Sequence, residues 1–153
     1  MNKYPIEVLP EDEDDGTMPK NLAALADQVV GHRIVNVEQV KEFLEEDNVW
    51  AWSKGNPTLA ITLDTGKTVY LRDTNDCCAV TELETFLFNA DKIDHAIMGV
   101  GTENGYQTWH IYADMGDVLS LQVGWGCGNP FYYGFGFNIL VSESPDTPAK
   151  EIM

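Results

Sequence analysis

The feature that most constrains the fold of this 153-residue chain is a pair of alternating segments near its middle. Apolar residues occupy every second position over residues 59–63 and again over 69–71, with the turn formers Asp64 and Gly66 between them. In a strand, successive side chains point to opposite faces, so this alternation places the apolar side chains on one face. Two such runs around an Asp/Gly turn predict a β-hairpin, and a hairpin favours an antiparallel sheet.

Helical spacing occurs in two places. Residues from Pro19 predict a helix that ends before Gly31, since proline suits the first turn and glycine the position after the last. Residues 81–84, Thr-Glu-Leu-Glu, have the pattern of a capping box and predict a second helix that ends near Asn89. Residues 38–47 fit either a short further helix or a polar, irregular segment. The apolar stripes would be Leu22, Leu25 and Val29 in the first helix and Leu83, Phe86 and Leu87 in the second.

The remaining segments predict strands and set the fold class. Residues 33–37 are rich in β-branched side chains, and four further strands are predicted at 93–99, 106–113, 118–125 and 133–141. This order lacks the βαβ alternation of a parallel sheet. We therefore expect an α+β fold with one mainly antiparallel, curved β-sheet of about six or seven strands and two or three short helices.

Proline and acidic runs divide the chain. Residues 1–18 predict a flexible acidic arm, residues 19–141 a single α+β domain and residues 142–153 a flexible tail. No signal peptide or membrane-length apolar run is present, so we expect a cytoplasmic protein.

Alternation also predicts which side of each strand is buried. His110, Tyr112, Ser120 and Gln122 would share a wet, polar face, so replacing His110 should cost little stability. The opposite, apolar face would be built from Leu59, Ile61, Leu63, Val69, Leu71, Trp109, Ile111, Leu119, Leu121, Val123, Phe135, Phe137 and Ile139.

Charge limits the partners. The net charge is −16, and there is no Lys or Arg from Ile93 to Ala149. A surface without cations cannot neutralise phosphates, which argues against direct binding of nucleic acid or of anionic membranes. Solubility alone could explain the acidity, and a host or phage protein with a basic surface is the partner that fits it best. The oligomeric state is left open.

The three cysteines offer the only candidate chemistry. Cys77 and Cys78 precede the predicted second helix, and Cys127 lies among three glycines and a proline. Convergence of Cys77, Cys78 and Cys127 with His110 would provide a zinc site, and Cys77 or Cys127 beside His110 would provide a thiol nucleophile. The adjacent pair lacks the usual zinc spacing and no nucleophile motif is present, so buried, inert thiols and no cofactor are favoured.

Several motifs resemble those of a known family. They are residues 61–66 (Ile-Thr-Leu-Asp-Thr-Gly), 76–84 (beginning Asp-Cys-Cys-Ala), 109–114 (Trp-His-Ile-Tyr-Ala-Asp) and 124–130 (Gly-Trp-Gly-Cys-Gly-Asn-Pro). Together they resemble a small family of uncharacterised proteins encoded mainly by bacteriophages of actinobacteria. The resemblance implies a phage origin but no activity. With the charge it favours a non-enzymatic accessory protein that binds a basic host-protein surface; a small thiol-dependent enzyme or zinc-binding domain is the alternative.

Overall fold

The computed structural model describes residues 17–40, 56–75, 79–127 and 136–153, apart from the side chain of Cys127. One α-helix, one short 3-10 helix (Ala90–Lys92) and ten strands lie in these ranges. The elements are α1 (Thr17–Val29), β1 (Ile34–Val40), β2 (Thr58–Leu63), β3 (Thr68–Arg72), β4 (Thr74–Asn75), β5 (Ala79–Phe88), β6 (Gly99–Glu103), β7 (Thr108–Ala113), β8 (Gly116–Cys127), β9 (Asn138–Ser142) and β10 (Lys150–Glu151).

The strands form two sheets. The first sheet has the order β1-β2-β3-β9-β10 and the second has the order β4-β5-β8-β7-β6, with antiparallel neighbours throughout. The predicted antiparallel architecture is confirmed. The predicted single curved sheet of six or seven strands and the predicted two or three helices are wrong for the described residues. The chain crosses between the sheets at Asp73, and two sheets can bury their apolar faces against each other.

The predicted hairpin is confirmed as β2 and β3. Leu59 lies opposite Leu71 and Ile61 lies opposite Val69, so the two alternating runs share one face. Leu63 N–H donates to the carbonyl of Lys67, and Gly66 has a φ of +91°, a conformation that glycine adopts readily.

The first helix is also confirmed, although it begins at Thr17 rather than Pro19. Met18, which the sequence analysis placed in the flexible arm, is fully buried. Buried Asn21 attaches the helix to the start of β9. Its Nδ2 donates to Phe137 O at 2.9 Å, and its Oδ1 accepts from Phe137 N at 3.1 Å. This pair of bonds gives both polar atoms of a buried amide side chain a partner on one backbone residue.

Both sheets and α1 bury one shared core. Trp109 of the second sheet packs edge-on against Phe137, with ring centroids 5.2 Å apart. Phe135 lies outside the described residues. Every other residue predicted for the apolar face is buried: Leu59, Ile61, Leu63, Val69, Leu71, Trp109, Ile111, Leu119, Leu121, Val123, Phe137 and Ile139.

The predicted second helix is wrong, because residues 79–88 form strand β5. The register between β5 and β8 shifts between Leu83 and Thr85, so Glu84 is an extra residue in a β-bulge. Leu83 and Phe86, on either side of the bulge, therefore pack against the same core although they lie three positions apart. A bulge produced the spacing that indicated a helix. Leu87, predicted to be buried, is 60% exposed.

Three other segments differ from their predictions. The predicted strand at 93–99 is wrong, since residues 93–98 form turns and irregular backbone and β6 begins at Gly99. Residues 38–40 belong to β1, and residues 41–47 lie outside the described part of the chain. In the predicted tail, Lys150 and Glu151 pair with β9 and Ala149 is fully buried. The flexibility of residues 142–153 stays a prediction.

The two faces of β5 and its neighbours can be tested by truncation. Trp109→Ala and Phe137→Ala should each lower the free energy of unfolding by about 3–5 kcal/mol, because each removes a large buried ring. Leu87→Ala should change it by no more than about 0.5 kcal/mol, since that side chain faces solvent. Urea unfolding of the three variants measures this. A large loss for Leu87→Ala would contradict the bulged register of β5.

Candidate functional site

The predicted cysteine site cannot be assembled from the described residues. Cys77 and Cys78 lie outside them, and only the backbone of Cys127 is described, opposite Ala79 at the end of β8. Convergence of the three thiols with His110 therefore stays a prediction. Within the described ranges, no group of three or more His, Cys, Asp or Glu side chains is arranged to hold a metal ion.

His110 lies in a different setting from the one predicted. Its side chain is buried, not on a wet face, although it does project from the side of β7 opposite Trp109. Nδ1 lies 2.7 Å from Asp117 Oδ2, and Nε2 lies 2.8 Å from Glu103 Oε1. The strand pairing explains this: β6 brings Glu103 and β8 brings Asp117 to either side of β7.

The two carboxylates restrict what His110 can do. Each ring nitrogen of His110 lies within hydrogen-bond distance of one carboxylate oxygen, so both nitrogens are engaged. A histidine held in this way has no free nitrogen to take a proton from a nucleophile or to bind a metal. Glu103 and Asp117 also lie at opposite nitrogens of the ring, so they do not converge on one ion. The arrangement is therefore that of a structural histidine–carboxylate cluster.

The outer face of the second sheet, opposite the core, carries exposed carboxylates. Glu82 lies opposite Gly124, and the Glu84 side chain lies so close to Gly124 that a Cβ there would be 2.9 Å from Oε1. The absence of a side chain at Gly124 therefore makes room for Glu84 on the sheet. We call this surface the acidic face; its exposed members are Glu82, Glu84, Thr85, Leu87, Glu103 and Gln122.

A cleft of about 550 Å³ lies beside β5, where the chain crosses between the sheets. Asp73 is central to it: its backbone N–H donates to Pro57 O, and its Oδ1 accepts from the N–H of Leu83 at 3.1 Å. Glu82, which belongs to the acidic face, also lines the cleft. The described lining residues are Gln39, Val40, Pro57, Thr58, Asp73, Glu82 and Leu83.

Asp73 is electrostatically unusual. Burial raises the pKa of its carboxyl from 3.8 to about 6; the Leu83 hydrogen bond opposes the shift and the negative charge of Glu82 adds to it. A half-buried carboxyl with a raised pKa in a cleft is a common property of functional sites. The nearby thiols of Cys77 and Cys78 were predicted as candidate site residues, but Asp73 was not. Only the folded chain shows its burial.

Comparison with known proteins identifies the family. A family model described as Domain of unknown function (DUF7448) matches residues 27–139, which is most of the chain. The chain belongs to the DUF7448 family. The matched region includes Asp73, the acidic face and His110. No curated protein and no solved structure matches the chain.

The His110 cluster of this DUF7448 domain should be important for stability. His110→Ala should lower the free energy of unfolding by about 2 kcal/mol or more, because it leaves Asp117 and Glu103 close together without the imidazole that binds both. His95, whose Nδ1 lies 2.9 Å from exposed Asp114 Oδ1, provides a matched control. His95→Ala should cost no more than about 0.5 kcal/mol. If urea unfolding showed the same loss of stability for His110→Ala and His95→Ala, the burial of His110 would contribute nothing to the stability of the fold.

The raised pKa of Asp73 predicts a pH-dependent stability. The folded chain binds the Asp73 proton more tightly than the unfolded chain does. The contribution of this group to the free energy of unfolding therefore falls as pH rises from about 4 to about 6, and it stays at the lowered value above that range. Asp73→Asn should leave stability nearly unchanged at pH 3.5 and increase it at pH 7.5 by on the order of 1 kcal/mol, after allowance for solvent screening. Thermal melts across pH, with exposed Asp91→Asn as control, measure this. A variant that is less stable than the parent at pH 7.5 would contradict the assignment.

Proposed function

We propose that this chain is an acidic accessory protein of phage type that binds a basic surface on a host protein through its acidic face, without catalysis. The observation that carries the proposal is the uneven distribution of charge over the described residues. Residues 79–127, which form nearly all of the second sheet, hold seven acidic residues and a single lysine. The other described ranges, 17–40, 56–75 and 136–153, hold seven acidic and five basic residues.

This asymmetry supports a binding role over solubility alone. Charge that serves solubility alone can lie anywhere on the surface, and interspersed signs serve it well. A field of one sign on one sheet instead steers and orients a partner of opposite charge. The lysine in this part of the chain, Lys92, belongs to the 3-10 helix and donates to the carbonyl of Met115 at 3.2 Å.

The acidic face also contains an apolar contact point. Leu87 projects from β5 next to Ser120 of β8 and is largely exposed. Protein interfaces combine an apolar centre with polar and charged groups around it. An exposed leucine on the same face as Glu82, Glu84 and Glu103 therefore fits a partner whose surface mixes basic and apolar side chains.

The origin and compartment are part of the proposal. The resemblance to actinobacteriophage proteins supports synthesis in an infected cell, where the partner would be a cytoplasmic host protein. No helix in the described part of the chain has the length and apolarity needed to cross a membrane. The alternative thiol enzyme or zinc site has less support, because carboxylates engage both ring nitrogens of His110.

Affinity capture with a charge-matched pair of variants tests the proposal. The parent chain should retain a host protein from an actinobacterial lysate at low salt and release it as salt rises, because exposed charge pairs are screened. Glu82→Gln/Glu84→Gln should abolish or strongly reduce retention of that protein. Asp27→Asn/Asp146→Asn removes the same charge from exposed positions outside the second sheet and should retain it.

The variants also separate local from overall charge. Equal loss of retention in both would mean that total acidity, and not the acidic face, produces binding. Retention of no protein by the parent chain at low salt would contradict the proposed function itself.

A further inference from the structure

We infer that the cleft beside β5 is a binding site for the guanidinium group of an arginine side chain. The inference deepens the proposed function and rests on it for the source of that arginine, which is the basic surface of the protein partner. Glu82 belongs both to the acidic face and to the lining of the cleft. A partner bound to the acidic face would therefore present its side chains at the entrance of the cleft.

The shape and lining of the cleft suit an amphipathic cation. Its volume of about 550 Å³ lies within the range of small-molecule sites. Val40, Pro57 and Leu83 give it apolar walls. An arginine side chain buries its methylene stem against apolar groups and directs its charged end to acceptors.

Among the described residues, no cation is paired with the acceptors of the cleft. Asp73 Oδ1 accepts the Leu83 N–H, while its second carboxylate oxygen accepts no hydrogen bond from the described residues. Neither Asp73 nor Glu82 forms an ion pair with a lysine, arginine or histidine in the described ranges. Two carboxylates at an apolar cleft repel each other, and no described residue provides a counter-charge, so a bound cation would remove this cost.

Guanidinium fits these acceptors better than a metal ion does. It offers five N–H donors in one plane, which can bind two carboxylates and an amide carbonyl such as that of Gln39 together. Calcium needs six to eight oxygen ligands. The described residues hold no cluster of three metal-binding side chains at the cleft or elsewhere.

The test uses a neutral isostere as its control probe. Nα-acetylarginine amide is titrated into the full-length chain, and the Leu83 amide resonance is followed by NMR, since that N–H donates to Asp73. Nα-acetylcitrulline amide has the same shape without the charge and should bind at least about tenfold more weakly, a difference of roughly 1.4 kcal/mol. Asp73→Asn should weaken arginine binding about tenfold, and exposed Asp91→Asn should leave it unchanged.

Dependence on pH gives a second, independent measurement. Asp73 has a pKa of about 6, and among the described lining residues Glu82 is the other titratable group. Arginine binding should therefore weaken about tenfold from pH 7.5 to pH 5 as Asp73 takes up its proton. In the Asp73→Asn variant this dependence should largely disappear.

The outcomes separate this inference from the proposed function. Equal binding of arginine and citrulline probes, or full binding by Asp73→Asn, would overturn the cleft site even if the acidic face still captures a partner. Arginine-selective binding that Asp73→Asn weakens about tenfold or more would establish the cleft site. In that case, failure of the lysate experiment would count against the proposed partner alone.

Discussion

The fold depends on how the chain crosses from one sheet to the other at Asp73. The backbone N–H of Asp73 donates to Pro57 O, and its carbonyl accepts from Asn56 Nδ2 at 2.9 Å. Its side chain accepts the N–H of Leu83 across the gap to β5. One residue thus attaches the end of the first sheet to the start of the second. The same position leaves a carboxylate half-buried beside a cleft, so the residue that connects the sheets is also the best candidate for binding.

The β-bulge in β5 determines what the second sheet presents to solvent. Before the bulge, Thr81 and Leu83 face inward and Glu82 faces outward; after it, Phe86 packs against the core and Leu87 is exposed. Without the extra residue, a continuous alternation would reverse these roles in the second half of the strand. The bulge therefore keeps the core continuous, and it places Glu84 over Gly124 on the acidic face. The bulge is thus the local cause both of the packing in the core and of the position of Glu84 on the acidic face.

His110 shows how an acidic sheet can tolerate its own charge. Glu103 and Asp117 come from strands on either side of β7 and would repel each other across it. The imidazole lies between them and places one ring nitrogen within hydrogen-bond distance of each carboxylate. The face assigned to His110 by alternation was right, but its burial was not foreseeable, because the carboxylates lie seven positions away on other strands. The Asp73 cleft was missed for the same reason: the burial that raises its pKa comes from residues distant in the chain.

Local pattern determined the helix α1, the β2–β3 hairpin, the β7–β8 pair and nearly all of the core, because side-chain periodicity records which face of an element is buried. It also determined the acidity and the scarcity of basic residues in the second sheet. Tertiary structure alone decided that residues 81–84 join a strand, since pairing with β8 outweighs a local capping pattern. It alone divided the strands between two sheets and brought Asp73 to Glu82, and His110 to Glu103 and Asp117. Contacts between distant strands depend on register and sheet order, and neither is written in local spacing.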